Sequence, residues 1–238
     1  QKDFLNQYYD FWQRMVPAGQ FENLFTGEVL KKIDLNEPRA IFERVFLFNH
    51  KLNYDTPERH INNSLYFEIK TFLPGLLLVG DKLSMANGLE ERFPFLDNDL
   101  VDFAQKIPVR YKLGNLEEMK RVNENEFRGK RSLYTEFDDG KNVLRKAMED
   151  VLPEKIINRK KQGFSAPDES WYRGENAEYV KTLLLNKKTI CSEFISQQFI
   201  ADMVNEHIEK KINHRLLLWS LMNFEWWCRI FLNGERVA

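Results

Sequence analysis

Residues 81–108 read DKLSMANGLEERFPFLDNDLVDFAQKIP, and their punctuation scripts the local chain. A helical turn through Lys82 to Asn87 meets Gly88, the residue type that takes the left-handed conformation of a helix stop without a Cβ penalty. An extended Leu89 to Phe93 then leads into Pro94, because the residue before proline is pushed out of the α region. Asp97 stands where its carboxylate can accept amide hydrogens from a helix through Leu100, Val101 and Ala104, which Pro108 ends. A connection scripted this tightly fixes the direction of Glu90, Glu91 and Arg92.

Outward from this segment helical periodicity dominates, and strand signals are scarce. Val143, Leu144, Ala147, Met148, Val151 and Leu152 recur at helical spacing until Pro153. Phe194, Ile195, Phe199, Ile200, Met203, Val204 and Ile208 form a second amphipathic face. Residues 215–232 are apolar almost all round, with Trp219, Trp226 and Trp227, which predicts a buried core helix. The chain opens on a further amphipathic run of Phe4, Leu5, Tyr8, Tyr9, Phe11, Trp12 and Met15. Residues 115–139 differ: their mixed charge and low apolar content predict an exposed, charged insertion. With no repeat and no Pro/Gly/Ser linker, residues 1–238 read as one mainly α segment.

Composition narrows the function classes. The 238 residues carry 35 basic and 36 acidic side chains, so the clustered basic excess that a nucleic-acid binder needs is missing and nucleic acid is not an expected partner. Two cysteines and four histidines are too few and too scattered for a disulfide framework or a metal site, so no metal is expected on this chain and a reducing, cytoplasmic setting is the default. No apolar stretch approaches the ~20 residues of a membrane span. The chain begins at Gln1 rather than at a methionine, which suggests that it starts inside something larger.

Familiar catalytic constellations are missing: there is no GxSxG, P-loop, HExxH, CxxC or GxGxxG. The first chemical signal is cationic. Arg159, Lys160 and Lys161 run into Gln162-Gly163-Phe164, where a lysine can set an ammonium against a phosphate and glycine lets backbone approach closely. Basic residues also favour helix C-termini for dipole reasons, so the triplet has a structural reading too. Lys141, with Arg145 one turn on, would add to a phosphate-facing cluster if the two segments pack together.

Ser84-Met85-Ala86-Asn87-Gly88-Leu89-Glu90-Glu91-Arg92-Phe93-Pro94-Phe95-Leu96-Asp97 resembles the SMAxxxExRxPFLD signature of the asparagine synthetase (glutamine-hydrolysing) family. Three further blocks agree in order. Residues 140–147 are similar to its GKxxLRxA block, residues 152–164 to its LPxxIxxRxKxGF block with Trp171 following, and residues 215–231 to its last tryptophan-rich helix. The resemblance implies that this chain is the helical C-terminal portion of an α/β adenine-nucleotide α-hydrolase-like (PP-loop) synthetase domain. In that family ATP activates a carboxylate, aspartate in the family, as an acyl-adenylate with release of pyrophosphate, and ammonia from glutamine then forms the amide. The resemblance implies a catalytic role for Lys161, near the α-phosphate and the reacting acyl centre, where a fixed ammonium stabilises growing charge. It implies pyrophosphate binding by Lys141. Asp81, Glu90, Arg92 and Asp97 also fall in or beside the signature; their geometry reads first as structural, a buried ion pair and a helix cap, and second as part of a substrate pocket.

Departures from the family pattern shape the remaining expectations. Asp81-Lys82 stands where the family usually has Asp-Arg, and residues 115–139 replace a short connection. The SGGxDS pyrophosphate loop, the SGEGxDE loop that supplies magnesium ligands, and the nucleophilic cysteine of a glutaminase domain are absent from these 238 residues. Upstream PP-loop and glutaminase portions, or a separate chain, would therefore complete the site, with ATP and magnesium acting in the complete enzyme. These residues alone are expected not to form an acyl-adenylate, and an apolar face is expected where the α/β portion would pack. Two alternatives stand beside this reading: amidation of another carboxylate, such as a surface sugar or a peptide, and a non-catalytic helical interaction module.

Overall fold

The computed structural model describes residues 2–13, 15, 16, 18–47, 55–114, 140–159, 172–186 and 189–235. Among them the chain is mainly α. Its longer helices are α1 (Lys2–Trp12), α2 (Glu37–Leu47), α3 (Pro57–Lys70), α4 (Phe72–Ala86), α5 (Asn98–Lys106), α6 (Asn142–Ala147), α7 (Ala177–Leu184), α8 (Gln197–Ile208) and α9 (Arg215–Phe231). No strand occurs among the described residues, where extended pairing is limited to two isolated antiparallel bridges, Phe25 with Ile195 and Leu113 with Gly140. The contacts cluster into two compact units, Gln1–Phe4 with Glu43–Gly163, and Leu5–Phe42 with Phe164–Ala238. The segment 115–139, expected as a charged insertion, lies outside the described residues.

The first unit holds α3 to α6. Thr56 caps α3 by accepting from the Arg59 amide at 3.3 Å, with Pro57 in the first turn, where its missing N–H costs nothing. Phe46 and Phe67 stack at 5.5 Å, and Phe4 lies edge-on to Phe46 and stacks on His60. Among the described residues of this unit the buried hydrophobics are Phe46, Phe67 and Val109. By contrast α4 has no buried residue at all, although its sequence FLPGLLLVGDKLSMA is predominantly apolar. Leu76, Leu78, Val79, Leu83 and Met85 are each more than half exposed, and so are Leu89, Phe95 and Phe103 beyond them. An exposed apolar face of this kind is the one expected above.

The second unit has a conventional core. Leu184, Ile200, Leu218, Val180 and Val204 are fully buried, and Leu24, Tyr172, Met203, Leu217 and Leu221 close around them. Each full burial of such an aliphatic side chain contributes about 1.5–3 kcal/mol, so α7, α8 and α9 are held chiefly by this contact. Ser196 caps α8 through the Phe199 amide. The prediction of a helix buried all round is corrected for α9. Leu217, Leu218, Leu221, Glu225 and Cys228 line its buried face, while Trp219 and Trp227 are about half exposed and Phe231 more so. The periodic run from Val143 is also shorter than its pattern suggests: α6 ends at Ala147, and turns carry the chain to Pro153.

Candidate functional site

Five of the six sequence-derived candidates, Asp81, Glu90, Arg92, Asp97 and Lys141, fall within the first unit; the sixth, Lys161, lies outside the described residues. The end of α4 is a Schellman motif: the Leu89 amide donates to the Ser84 carbonyl at 2.9 Å and the Gly88 amide to Met85 at 3.1 Å, with Gly88 at φ +67°. The chain then runs extended to a single 3-10 turn, Pro94–Leu96, and Asp97 Oδ1 accepts from the Leu100 amide at 3.1 Å to start α5. The stop at Gly88 and the cap at Asp97 are therefore formed as the residues imply.

The ion pair between them differs from the expectation. Arg92 lies 3.4 Å from Glu90, but their side chains are 83% and 69% exposed, so the pair is solvated and not buried. Such a pair contributes little, about 0–1 kcal/mol, because water screens it. Asp81 is likewise exposed on α4. The carboxylate that touches α4 is instead Glu91, whose direction the sequence reading fixed without making it a site candidate. Ser84 Oγ donates to its Oε2 at 3.2 Å, and that oxygen sits 2.6 Å from where a Cβ would stand on Gly80. Gly80 thus makes room for Glu91; the seven-residue step from Ser84 to Glu91 carries no periodic signal across a helix stop.

The second cluster of interest is cationic. Lys141 is exposed and sits in the left-handed region at φ +63°, ψ +28°, immediately before α6. A non-glycine residue there costs about 1–2 kcal/mol, and such outliers concentrate where function requires a particular direction. Arg145, expected to add to a phosphate-facing cluster, faces backbone instead. Its guanidinium donates to the carbonyls of Gly140 at 3.3 Å, Arg159 at 3.5 Å and, more closely, Ile157. The segments around Lys141 and Arg159 are therefore joined, which the sequence could only pose as a condition. Lys161, with residues 160–171, lies outside the described residues. Beside α6, in the turn Val109–Lys112, the hydrogen bond and charge of Arg110 lower the pKa of the Tyr111 phenol, with a smaller push from Lys146.

In the second unit, a buried polar cluster was not foreseen. Glu225 on α9 is fully buried; its Oε2 accepts from the Cys191 amide at 2.8 Å and from the Cys191 thiol at 3.1 Å, and its Oε1 accepts from Arg229 Nε at 2.7 Å. Burial and the adjoining carboxylate push the Cys191 thiol far up, which removes it as a nucleophile. His207, also buried, accepts the His214 amide at Nδ1, while Arg173 donates to its carbonyl. A glutamate inside a hydrophobic run and a histidine on an apolar face are the only sequence hints of this interior.

The donor sets bear on which groups this chain could hold. Among the described residues there is no group of three or more His, Cys, Asp or Glu that could hold a metal ion. An exposed lysine on a turn braced from behind does fit a phosphate-bearing ligand. Among the described residues no helix is long and apolar enough to cross a membrane.

Comparison with known proteins bears on the same residues. The chain is similar to asparagine synthetase (glutamine-hydrolyzing) 1 of Bacillus subtilis, 32% identical over 168 residues, which is 70% of this chain and 23% of that protein. It is similar to a putative asparagine synthetase (glutamine-hydrolyzing) of Mycobacterium tuberculosis, 27% identical over 174 residues, 72% of this chain and 23% of the relative. Similarity extends to amidase chyE of Penicillium rubens, 25% identical over 153 residues, 63% of this chain and 20% of that protein. The matched part thus spans less than a quarter of the length of these curated relatives. No solved structure matches the chain. The family model described as asparagine synthase matches residues 5–229, nearly the whole chain, and on that match the chain belongs to the asparagine synthase family.

Proposed function

We propose that this chain is the helical portion of an ATP-dependent, amide-forming ligase of the asparagine synthetase type. The family match over residues 5–229 carries the reading, and the braced Lys141 turn supports it. In this reading ATP supplies the adenylyl group that activates a carboxylate, and ammonia drawn from glutamine displaces it to form the amide. Lys161 holds charge that grows at the reacting acyl centre, and Lys141 presents its ammonium to the pyrophosphate portion. A polypeptide segment outside these 238 residues supplies the pyrophosphate loop, the magnesium ligands and the glutaminase chemistry. The exposed apolar face of α4, with Leu89, Phe95 and Phe103, supports that division, because a surface this apolar is stabilised by covering it.

Aspartate is the proposed carboxylate. Similarity to a relative named an amidase, alongside relatives named synthetases, is the observation that favours a second acceptor, a sugar- or peptide-borne carboxylate. The deciding experiment is carboxylate-dependent ATP–pyrophosphate exchange on the complete protein, with aspartate compared against the larger acids. Lys161→Ala should lower exchange by roughly 100-fold or more, the scale on which a lost transition-state charge partner acts, without changing the unfolding midpoint. Unchanged exchange in that variant refutes the role of Lys161, and absence of exchange with every carboxylate refutes the ligase reading.

A further inference from the structure

His207 is fully buried in the last turn of α8, where three segments of the second unit meet. Its Nδ1 accepts the His214 amide at 3.1 Å. A backbone N–H can only donate, so that nitrogen keeps its lone pair and the ring is the neutral tautomer with its proton on Nε2. His214 is the residue from which α9 starts, and its own side chain does not cap that helix. The His207 carbonyl accepts from Arg173 Nε at 2.8 Å and from the Lys210 amide at 3.2 Å, where Lys210 turns the chain out of α8 at φ +61°. One residue thus ties the end of α8 to the start of α9 through its ring, and to the segment before α7 through its carbonyl.

We propose that His207 is a proton-operated latch: the neutral ring holds the α8–α9 corner closed, and protonation at Nδ1 releases it. A proton on Nδ1 displaces the His214 amide, strands a buried donor and places a charge in an interior closed to water. The charged groups around the corner agree with this direction. Arg173, Lys210, Lys211 and Arg215 disfavour a further cation, while Glu206 is engaged by His214 Nε2 at 2.6 Å and Glu209 by Lys211 at 2.6 Å. Tyr172, whose ring lies 6.3 Å from that of His207, brings no charge near neutral pH. The dipole of α8 does favour a cation at its C-terminus, a smaller effect than stranding a buried amide. The closed corner therefore binds fewer protons than the open one below the ordinary histidine pKa of about 6.5, so closure is complete above that value and is lost as pH falls. With one proton taken up per opening, the open-to-closed ratio rises about tenfold between pH 7.5 and 5.5, a window above that in which carboxylates titrate. The latch stands whether or not the ligase reading holds.

The test reads amide deuterium uptake of the complete protein over 207–218 at pH 7.5 and 5.5, as protection factors, so that the intrinsic pH dependence of exchange divides out. Protection should be about tenfold lower at pH 5.5, while 98–106 in the first unit stays constant. His207→Asn sets a non-titrating acceptor where Nδ1 stands and should flatten the ratio to within about twofold, whatever its effect on absolute stability. His214→Gln keeps the amide and the His207 ring, and should leave the tenfold ratio in place. Nitrogen chemical shifts of the parent protein give a reading that needs no variant to fold: His207 should remain the neutral Nε2–H tautomer at pH 6, where a solvated histidine is mostly protonated. A flat ratio in the parent, a ratio that survives His207→Asn, or one abolished by His214→Gln overturns the latch. So does a His207 imidazolium at pH 6 with the corner still protected.

Discussion

Glu225→Ala is the perturbation whose consequence can be worked most directly from the geometry. The carboxylate is fully buried on α9, and it accepts the Cys191 amide at 2.8 Å, the Cys191 thiol at 3.1 Å and Arg229 Nε at 2.7 Å. Removing it strands an amide at the start of the 3-10 turn Ile190–Glu193 and takes the counter-charge from Arg229, whose side chain is only 20% exposed. An unsatisfied buried donor costs about 1–3 kcal/mol, and breaking a buried pair from one side costs about 3–5 kcal/mol in all. We therefore expect Glu225→Ala to lower the stability of the second unit by about 3–5 kcal/mol, and Glu225→Gln, which keeps the shape but loses the charge, by about 1–3 kcal/mol. Urea unfolding followed by tryptophan fluorescence, with Trp226 one residue away, measures both. A pH series adds an independent check. Burial pushes the Glu225 pKa up, but the bonds from the Cys191 amide, Arg229, the Cys191 thiol and the Ile190 amide outweigh it, so the folded value lies below the usual one. A depressed carboxylate stabilises fully above its unfolded pKa, about 4.3, and loses that contribution as pH falls through the folded value. The parent protein should thus lose urea resistance below about pH 4 more steeply than Glu225→Gln. A Glu225→Ala cost under about 1 kcal/mol, or parallel acid profiles, would refute the argument that this carboxylate organises the core.

Two further substitutions separate fold from function in the first unit. Lys141→Gly relieves a left-handed residue worth about 1–2 kcal/mol and adds about 0.5–1 kcal/mol of unfolded-state entropy, so stability should stay level or rise by up to about 1 kcal/mol while carboxylate-dependent exchange falls. A stability loss beyond 1 kcal/mol on the urea curve would mean that the lysine side chain, rather than the turn, is what the fold needs. Asp97→Ala removes the 3.1 Å cap on α5 and should cost about 1 kcal/mol, visible as faster deuterium uptake over 98–106, whereas Asp97→Asn should be near neutral. Exchange activity abolished by Asp97→Ala with uptake unchanged would move Asp97 from cap to substrate pocket.

Local chemistry was legible before any coordinates. Gly88 ends α4 and Asp97 starts α5 because a left-handed stop and a side-chain cap each involve residues three to five apart, whose meeting is dictated by the backbone. The buried face of α8 follows from 3.6-residue periodicity for the same reason. Two judgements of environment failed. Glu90 and Arg92 meet as their spacing allows, but water surrounds them. Trp219 and Trp227 look inward by composition and turn outward, because the face a helix buries is set by the element packed against it.

The amino-acid sequence determined the family, the helical character and the punctuation around the signature, all of them properties of ordered residue types at short range. Tertiary structure alone decided that Arg145 donates to the carbonyls of Gly140, Ile157 and Arg159, that Glu91 rather than Glu90 approaches Gly80, and that Glu225 is the polar centre of a hydrophobic core. Those pairings join residues that are distant in sequence or separated by a change of chain direction. Their partners are chosen by burial and by the need to satisfy every buried polar group, a constraint that acts on the folded chain as a whole.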